Sequence, residues 1–249
     1  MAARRGFNIS DATNAAIGLG LINGVKEYGV YGVRAGIGAD LETDISQLVA
    51  TVVPLPANAG QQLEIVSSDP IDMQTIELQL LGPGAVYLDP ITVQLNGTTP
   101  VLLSAALVSR INDGWNISAT PFIGQVNIQA QGGGTIFETL LALDQEINTA
   151  RFTIPAGKKW LVKRLIGTME RSGGSENSVS VSLLVKQFDS TTWMRIFSFG
   201  LQRSGSSSIS FENDYPTVRS GPVDIRLTAK ATAAAQRFRP GCRAYYFDL

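Results

Sequence analysis

The sequence contains no histidine and a single cysteine. The first absence removes the commonest general base, the commonest zinc ligand and every catalytic triad that works through imidazole. The second leaves Cys242 without an intramolecular partner, so the fold must be held by packing. Its apolar setting near the end of the chain predicts a buried, inert thiol. Charge is scarce too: Asp, Glu, Lys and Arg make up 16% of the 249 residues, against roughly a quarter in ordinary globular chains. The 20 basic and 21 acidic residues leave a net charge of −1. Phosphate contacts need a net positive footprint, so no nucleic-acid partner is expected. The basic residues that gather late, Lys230, Arg237, Arg239 and Arg243, read as solvated or subunit-facing charges.

No apolar run approaches the roughly 18 to 20 residues of a membrane-spanning helix, and no membrane partner is expected. Arg4-Arg5 ahead of Ala15–Ile22 makes a poor twin-arginine export signal, because Asp11 interrupts the approach and the apolar run is short. A soluble, unprocessed chain is expected. The glycine-dense stretch from residue 1 to about 40 contains neither G-x-G-x-x-G nor G-x-x-x-x-G-K-[ST], so it is no phosphate loop. No cofactor is expected.

What is present is period-two alternation. The glycine-rich stretch mixes Ile, Leu, Val and Tyr among its glycines and is too apolar for a solvated linker. It reads as an arm over residues 1–40. From about residue 41, Leu63–Val66, Thr75–Leu80, Ile91–Leu95 and Val126–Gln129 alternate apolar with polar between Gly, Pro, Asn and Asp, the mark of strands with one buried face. Asn96-Gly97 signals a hairpin, with Val101–Leu103 expected to pair back across it. Thr139–Ile147 suits a short helix, while Phe137–Leu143 suits a strand. After Asn148 come seven strand-like runs: Phe152–Ile154, Trp160–Met169, Ser178–Phe188, Trp193–Phe199, Ser208–Phe211, Val223–Thr228 and Arg243–Phe247. Such spacing fits a sandwich or jelly roll.

Leu55-Pro56-Ala57-Asn58-Ala59-Gly60 and Ile154-Pro155-Ala156-Gly157 echo one another, each leading into an alternating strand about one hundred residues apart. The expected fold is therefore all-β: an arm over 1–40, a first β-sandwich over 41–147 and a second, jelly-roll-like sandwich over 148–249. In the second echo, Trp160, Val162 and Arg164 should share one face of the strand, and Lys159, Leu161 and Lys163 the other.

Chemistry without histidine would have to come from carboxylates or oxygen ligands. Asp69 with Asp72, Glu138 with Asp144, and Glu212 with Asp214 are the pairs a glycosidase would need, but each lies at a turn where such residues are ordinarily solvated. Asp40, Glu42 and Asp44 alternate as D-x-E-x-D without the glycine or distal glutamate of a calcium loop. Trp115 follows Gly114 in what reads as a polar loop, beside Asn112, Asp113 and Asn116, and is the candidate saccharide contact.

ITVQLNGTTPVLLS (Ile91–Ser104), then AALVSRI, GQVNIQAQGG and FTIPAGKKWLV (Phe152–Val162), resembles a group of small virion structural proteins of tailed bacteriophages. In that group a strand ending in Leu-Asn-Gly-Thr-Thr-Pro-Val precedes a glycine-bearing hairpin and a second β domain opened by a Pro-Ala-Gly-Lys turn. The resemblance covers about residues 55–170. It implies a non-enzymatic, repeated component of the virion, such as a capsid decoration, vertex or tail-associated protein, with no catalytic residues. Expected partners are other copies of the chain, a trimer being favoured, and virion proteins such as the major capsid or a tail or neck protein. The arm residues expected at the subunit interface are Phe7, Ile17, Leu19, Leu21, Tyr28 and Tyr31. The alternative is a receptor- or carbohydrate-binding fibre module.

Overall fold

The computed structural model describes residues 25–37, 41–48, 52–170, 178–202, 208–212, 218–232 and 236–248. Apart from one short 3-10 turn at Pro83–Ala85, its regular elements are all strands. Strands β1 (Val25–Tyr31), β2 (Arg34–Ile37) and β3 (Thr43–Asp44) come first. Next are β4 (Leu63–Ser67), β5 (Thr75–Gly82), β6 (Val86–Tyr87), β7 (Ile91–Gln94), β8 (Val101–Leu102), β9 (Arg110–Asn116), β10 (Val126–Ala130) and β11 (Ile136–Leu140). The last group is β12 (Arg151–Ile154), β13 (Lys158–Glu170), β14 (Ser178–Gln187), β15 (Met194–Gln202), β16 (Ser208–Glu212), β17 (Val218–Ser220), β18 (Val223–Ala231) and β19 (Gln236–Asp248).

The middle group makes one sandwich. One sheet runs β11-β10-β4-β8; in the other, β5 carries β7 and β6 along one edge and β9 along the other. On β5, Ile76, Leu78 and Leu80 are buried while Thr75, Glu77 and Gln79 are half-exposed, as a pleated strand with one covered face requires. Their side chains meet Leu63, Ile65, Val126, Ile128 and Phe137 from the facing sheet. The last group, joined by β1, β2 and β3, makes the second sandwich, with sheets β12-β18-β14-β15 and β1-β19-β13-β16. Phe152, Trp160, Val181, Leu183, Ile225 and Leu227 fill its core. All pairings among the described residues are antiparallel, and the all-β expectation holds.

Several sequence expectations change. Of the expected arm, residues 25–37 are strands on the protein's own second sandwich: β1 pairs with β19 from Val25 opposite Phe247 to Tyr31 opposite Gly241, and β2 pairs with β19. Thr43–Asp44 pairs with β18, and Ile45 joins the second core, so residues 43–48 leave the range expected for the first sandwich. The second unit is thus discontinuous, built from both ends of the chain with the first unit inserted between. Residues 1–24 lie outside the described residues.

Val101–Leu102 does not return onto β7 but pairs with β4. The Asn96–Thr99 turn is instead clamped onto the preceding loop: Gly97, at φ +55, donates to Asp72 O at 2.8 Å and accepts from Ser67 N at 3.1 Å. The 137–147 segment resolves as a strand over Ile136–Leu140, not a helix. In β13, Trp160 and Val162 share the buried face as expected, but a register shift between Val162 and Arg164 changes the phase, and Leu165 is the next core residue. Both echoed turns hold a left-handed glycine, Gly60 at φ +78 and Gly157 at φ +76, which is why each needs glycine there.

A Cβ on Gly97 would sit 2.4 Å from Pro70 O, whereas Gly84, at φ +71, has nothing within 4 Å. Gly97→Ala should cost about 2 to 4 kcal/mol in urea unfolding and Gly84→Ala about 1 kcal/mol, the difference being the clash.

Candidate functional site at the junction of the two units

Charged residues inside apolar strands need partners, and the junction is where they find them. Asp224 stands in β18 between buried Val223 and Ile225. Across the junction, Arg110 on β9 grips it with both arms, Nε to Oδ1 at 2.7 Å and Nη2 to Oδ2 at 2.8 Å. The two side chains are 1% and 2% exposed. Lys186 Nζ on β14 reaches Oδ2 at 2.8 Å, and Thr153 Oγ1 donates to Oδ1 at 2.7 Å. Burial alone would raise the Asp224 carboxyl, but Arg110, Lys186 and Thr153 more than offset it and hold it below the usual range. Arg110 uses its remaining donors on Pro56 O, Ser109 O and Asn58 Oδ1, and its guanidinium lies 4.3 Å from the Phe188 ring centre.

Two further buried carboxylates flank this cluster. Glu138 accepts Arg151 Nε at 2.8 Å and Thr149 Oγ1 at 2.6 Å; its desolvation is large enough to leave the carboxyl raised despite Arg151. Asp44 pairs with Arg226 at 3.0 Å and accepts Val53 N at 2.7 Å. Trp193, just before β15, covers the edge of the array, with Arg226 Cζ 4.1 Å and Lys186 Nζ 5.4 Å from its ring centre. Between Trp193 and residues 52–58 lies a groove of about 360 Å³, reached by Arg110, Lys186 and Arg226.

The candidates from the sequence are scattered by comparison. Phe7, Ile17, Leu19 and Leu21 lie outside the described residues. Tyr28 sits opposite Ala244 in the β1–β19 ladder, and Tyr31 is exposed. Trp115 is a residue of β9 rather than of a loop, opposite Glu77 and bridged to Glu146, and it is half-buried. Asn112 is buried at 7% exposure and both ends of its amide bond the Thr153 backbone at 2.9 Å, so it joins the two units instead of meeting Trp115 at the surface. Asn116 bonds Thr120 O and Ser118 N.

The carboxylates of the first two candidate pairs are engaged by other groups. Asp69 caps Ile71 N, and Asp144 is bonded by Gln47. Glu42 pairs with Arg195 and Thr228 while Asp44 goes to Arg226, so these two residues of the D-x-E-x-D run diverge; Asp40 and Asp214 lie outside the described residues, and nothing is said of the Glu212 side chain. No group of three or more potential metal ligands occurs among the described residues.

Asp72 has a structural use that its sequence setting did not reveal. It is fully buried and accepts Ser67 Oγ at 2.6 Å, Ile123 N at 2.8 Å and Gly124 N at 2.9 Å. Burial pushes its pKa up, and these three donors together with Gln74 pull it below the usual range. The loops it ties together expose Ile71 at 70% and Ile123 at 54%, and the neighbouring loop, held by Leu143 N to Phe122 O, exposes Leu143 at 72%. Met73, Ile117 and Leu141 are exposed on the same loops.

No protein-family model matches the chain, and no curated protein matches it. Among solved structures it is similar to naturally occurring empty particles of cowpea mosaic virus, at 12% identity over 77% of this chain and 84% of that chain, TM-score 0.24. It is similar to infectious bursal disease virus Gt strain at 11% identity over 91% and 73%, TM-score 0.28. It is also similar to Sulfolobus turreted icosahedral virus at 11% identity over 90% and 94%, TM-score 0.16. At such identities and scores these likenesses carry nothing about function.

Asp224→Asn keeps the shape but leaves Arg110 and Lys186 buried against a neutral partner; it should cost about 3 to 5 kcal/mol in chemical denaturation. Arg195→Gln, which breaks the solvent-facing pair with Glu42, should cost under about 1 kcal/mol.

A second expectation concerns pH. Asp113 is pushed up to about 6, first by burial and then by the charges of Glu146 and Glu138, against the hydrogen bond from Gly114 N. A carboxyl raised in the folded state binds its proton more tightly there than in the unfolded chain. Its contribution is therefore present at low pH and lost as pH rises through 6. Between pH 7 and pH 5 Asp113 should contribute a gain of about 1 to 2 kcal/mol, which Asp113→Asn removes while stabilising the protein at pH 7. Melting curves across that range read both effects.

Proposed function

We propose that this protein is a non-enzymatic structural component of a virus particle, of the tailed-bacteriophage kind, that assembles with copies of itself and cements or decorates the particle. The observation that carries this reading is the apolar end of the first sandwich. Ile71, Met73, Ile117 and Ile123 stand exposed there on loops that buried Asp72 ties together, and Leu141 and Leu143 on the loop joined to them by Leu143 N to Phe122 O. Apolar surface gathered on a fixed scaffold marks a contact with another protein. The scarcity of charge agrees, because interface centres are depleted in charged residues. The occupant is a second copy of the chain, and a trimer is the simplest closed ring that would place three such ends around one axis. The particle location, and contact with a major capsid, tail or neck protein, belong to the same proposal, as does a role for residues 1–24 as an arm to a neighbour.

Light scattering on the size-fractionated protein tests it. The wild type should run as an oligomer, and Ile71→Asp with Leu143→Asp should shift it to monomer with stability changed by less than about 0.5 kcal/mol, since both residues are exposed. Removal of residues 1–24, which spares β1, should weaken incorporation into particles. A monomeric wild type at micromolar concentration overturns the reading. A glycan-array signal that Trp115→Ala abolishes would move the assignment to the carbohydrate-binding alternative.

A further inference from the structure

The junction groove is lined by three cations that are themselves largely buried, and no carboxylate is among the described residues that line it. Its charged lining consists of Arg110, Lys186 and Arg226. Asp224 serves both Arg110 and Lys186, and Asp44 serves Arg226. Two carboxylates against three cations leave one positive charge over, and Arg34, which also bears on Asp44, does not reduce that surplus. In a partly desolvated groove a surplus charge attracts a counter-ion more strongly than it would in water. Arg110 has its donors engaged by Asp224, Pro56, Ser109 and Asn58. Arg226 does not: its Nε is buried and has no hydrogen-bond partner, while Nη1 makes the pair with Asp44.

The walls say what kind of anion fits. One is residues 52–56, which present Val52, Pro54 and Pro56; the other is Trp193. Such walls suit a short aliphatic stem that ends in a carboxylate, the planar group that a guanidinium fork matches. The indole ring is already engaged by Arg226 and Lys186, so it is not an open platform for stacking a sugar. We propose that the groove is a binding site for the carboxylate of an acidic peptide side chain, with Arg226 and Lys186 as its anion contacts and the 52–56 wall against its stem. The site goes beyond the assembly reading and does not depend on it, since it lies at the junction and not at the apolar end of the first sandwich.

Calorimetric titration of the full chain with N-acetylglutamic acid N-methylamide tests the assignment. A dissociation constant on the order of 1 mM is expected, the scale of one charge-assisted contact. The glutamine counterpart should bind at least about tenfold more weakly, as should N-acetylneuraminic acid, which carries its carboxylate on a sugar. Raising salt from about 20 to about 200 mM should weaken the glutamate compound several-fold. Arg226→Lys keeps a charge for Asp44 but removes Nε and the fork, and should weaken binding about fivefold at unchanged oligomer size. Equal affinity for the glutamate and glutamine compounds, tighter binding of N-acetylneuraminic acid, or an unaltered constant in a folded Arg226→Lys protein each overturns the proposal. If that variant does not fold, the wild-type comparison of the three compounds decides alone.

Discussion

Two sandwiches of this kind would each be complete without the other, except that one buries an aspartate and the other buries an arginine. Neither charge is tolerable alone in an apolar interior. Arg110 and Asp224 answer one another with two bonds of 2.7 and 2.8 Å, and the surrounding polar groups are arranged to finish what that pair begins. Lys186 and Thr153 complete the shell of the carboxylate; Pro56, Ser109 and Asn58 complete that of the guanidinium. A hydrophobic pair would hold two surfaces together at lower desolvation cost, but it would not fix their angle. A bidentate pair has one geometry. The Asn112 amide, bonded at both ends to the Thr153 backbone, adds a second fixed point a short distance away.

The same device recurs at smaller scale wherever a loop must be rigid. Glu64 accepts Gln129 and the backbone N–H groups of Gly132 and Gly133, which holds a triple-glycine loop in place and keeps the Glu64 carboxyl below its usual range, chiefly through Gln129. Asp72 does so for the loops that carry the exposed apolar residues. A chain with few charges has placed several of its carboxylates inside, as anchors for backbone donors, and this explains how a surface of uncharged polar and apolar groups can remain well shaped. Acidification below the ordinary carboxylate range would remove Asp72, Glu64 and Asp224 together, because each is held ionised by the folded state.

Much of the fold was legible in the alternation of single strands. Thr75–Leu80 and all seven runs after Asn148 became strands close to where the pattern put them; Thr75–Leu80 alternates buried with half-exposed residues as the pattern requires, whereas Arg151–Ile154 is buried throughout. Pairing was less legible. Asn96-Gly97 is a hairpin signal, but Gly97 is held by Asp72 and Ser67, and no local pattern could report that clamp. Val25–Tyr31 looked like an arm because its partner, β19, lies at the far end of the chain. The junction cluster left little trace: Asp224 stands out of phase with Val223 and Ile225, where alternation reads it as facing water, and only Lys186, straight after Leu183-Leu184-Val185, stands as a charge at the end of an apolar run. Trp115 and its asparagines drew attention as a polar group around an aromatic, yet Asn112 belongs to the inter-unit joint. Composition around an aromatic does not say which of its neighbours face water.

The discontinuity of the second sandwich has a consequence for how the chain is made. A ribosome delivers residues 25–48 first, but their partners are β18 and β19, the last strands to emerge. Through most of synthesis those early strands have exposed backbone and no ladder to join. The inserted sandwich, residues 52–147, is contiguous and can close as soon as it is clear of the tunnel, well before the rest. Its buried Arg110 then waits for Asp224, more than a hundred residues later. Completion of the molecule is therefore signalled at both places by the same late segment, which docks the orphaned early strands and neutralises the waiting arginine in one event.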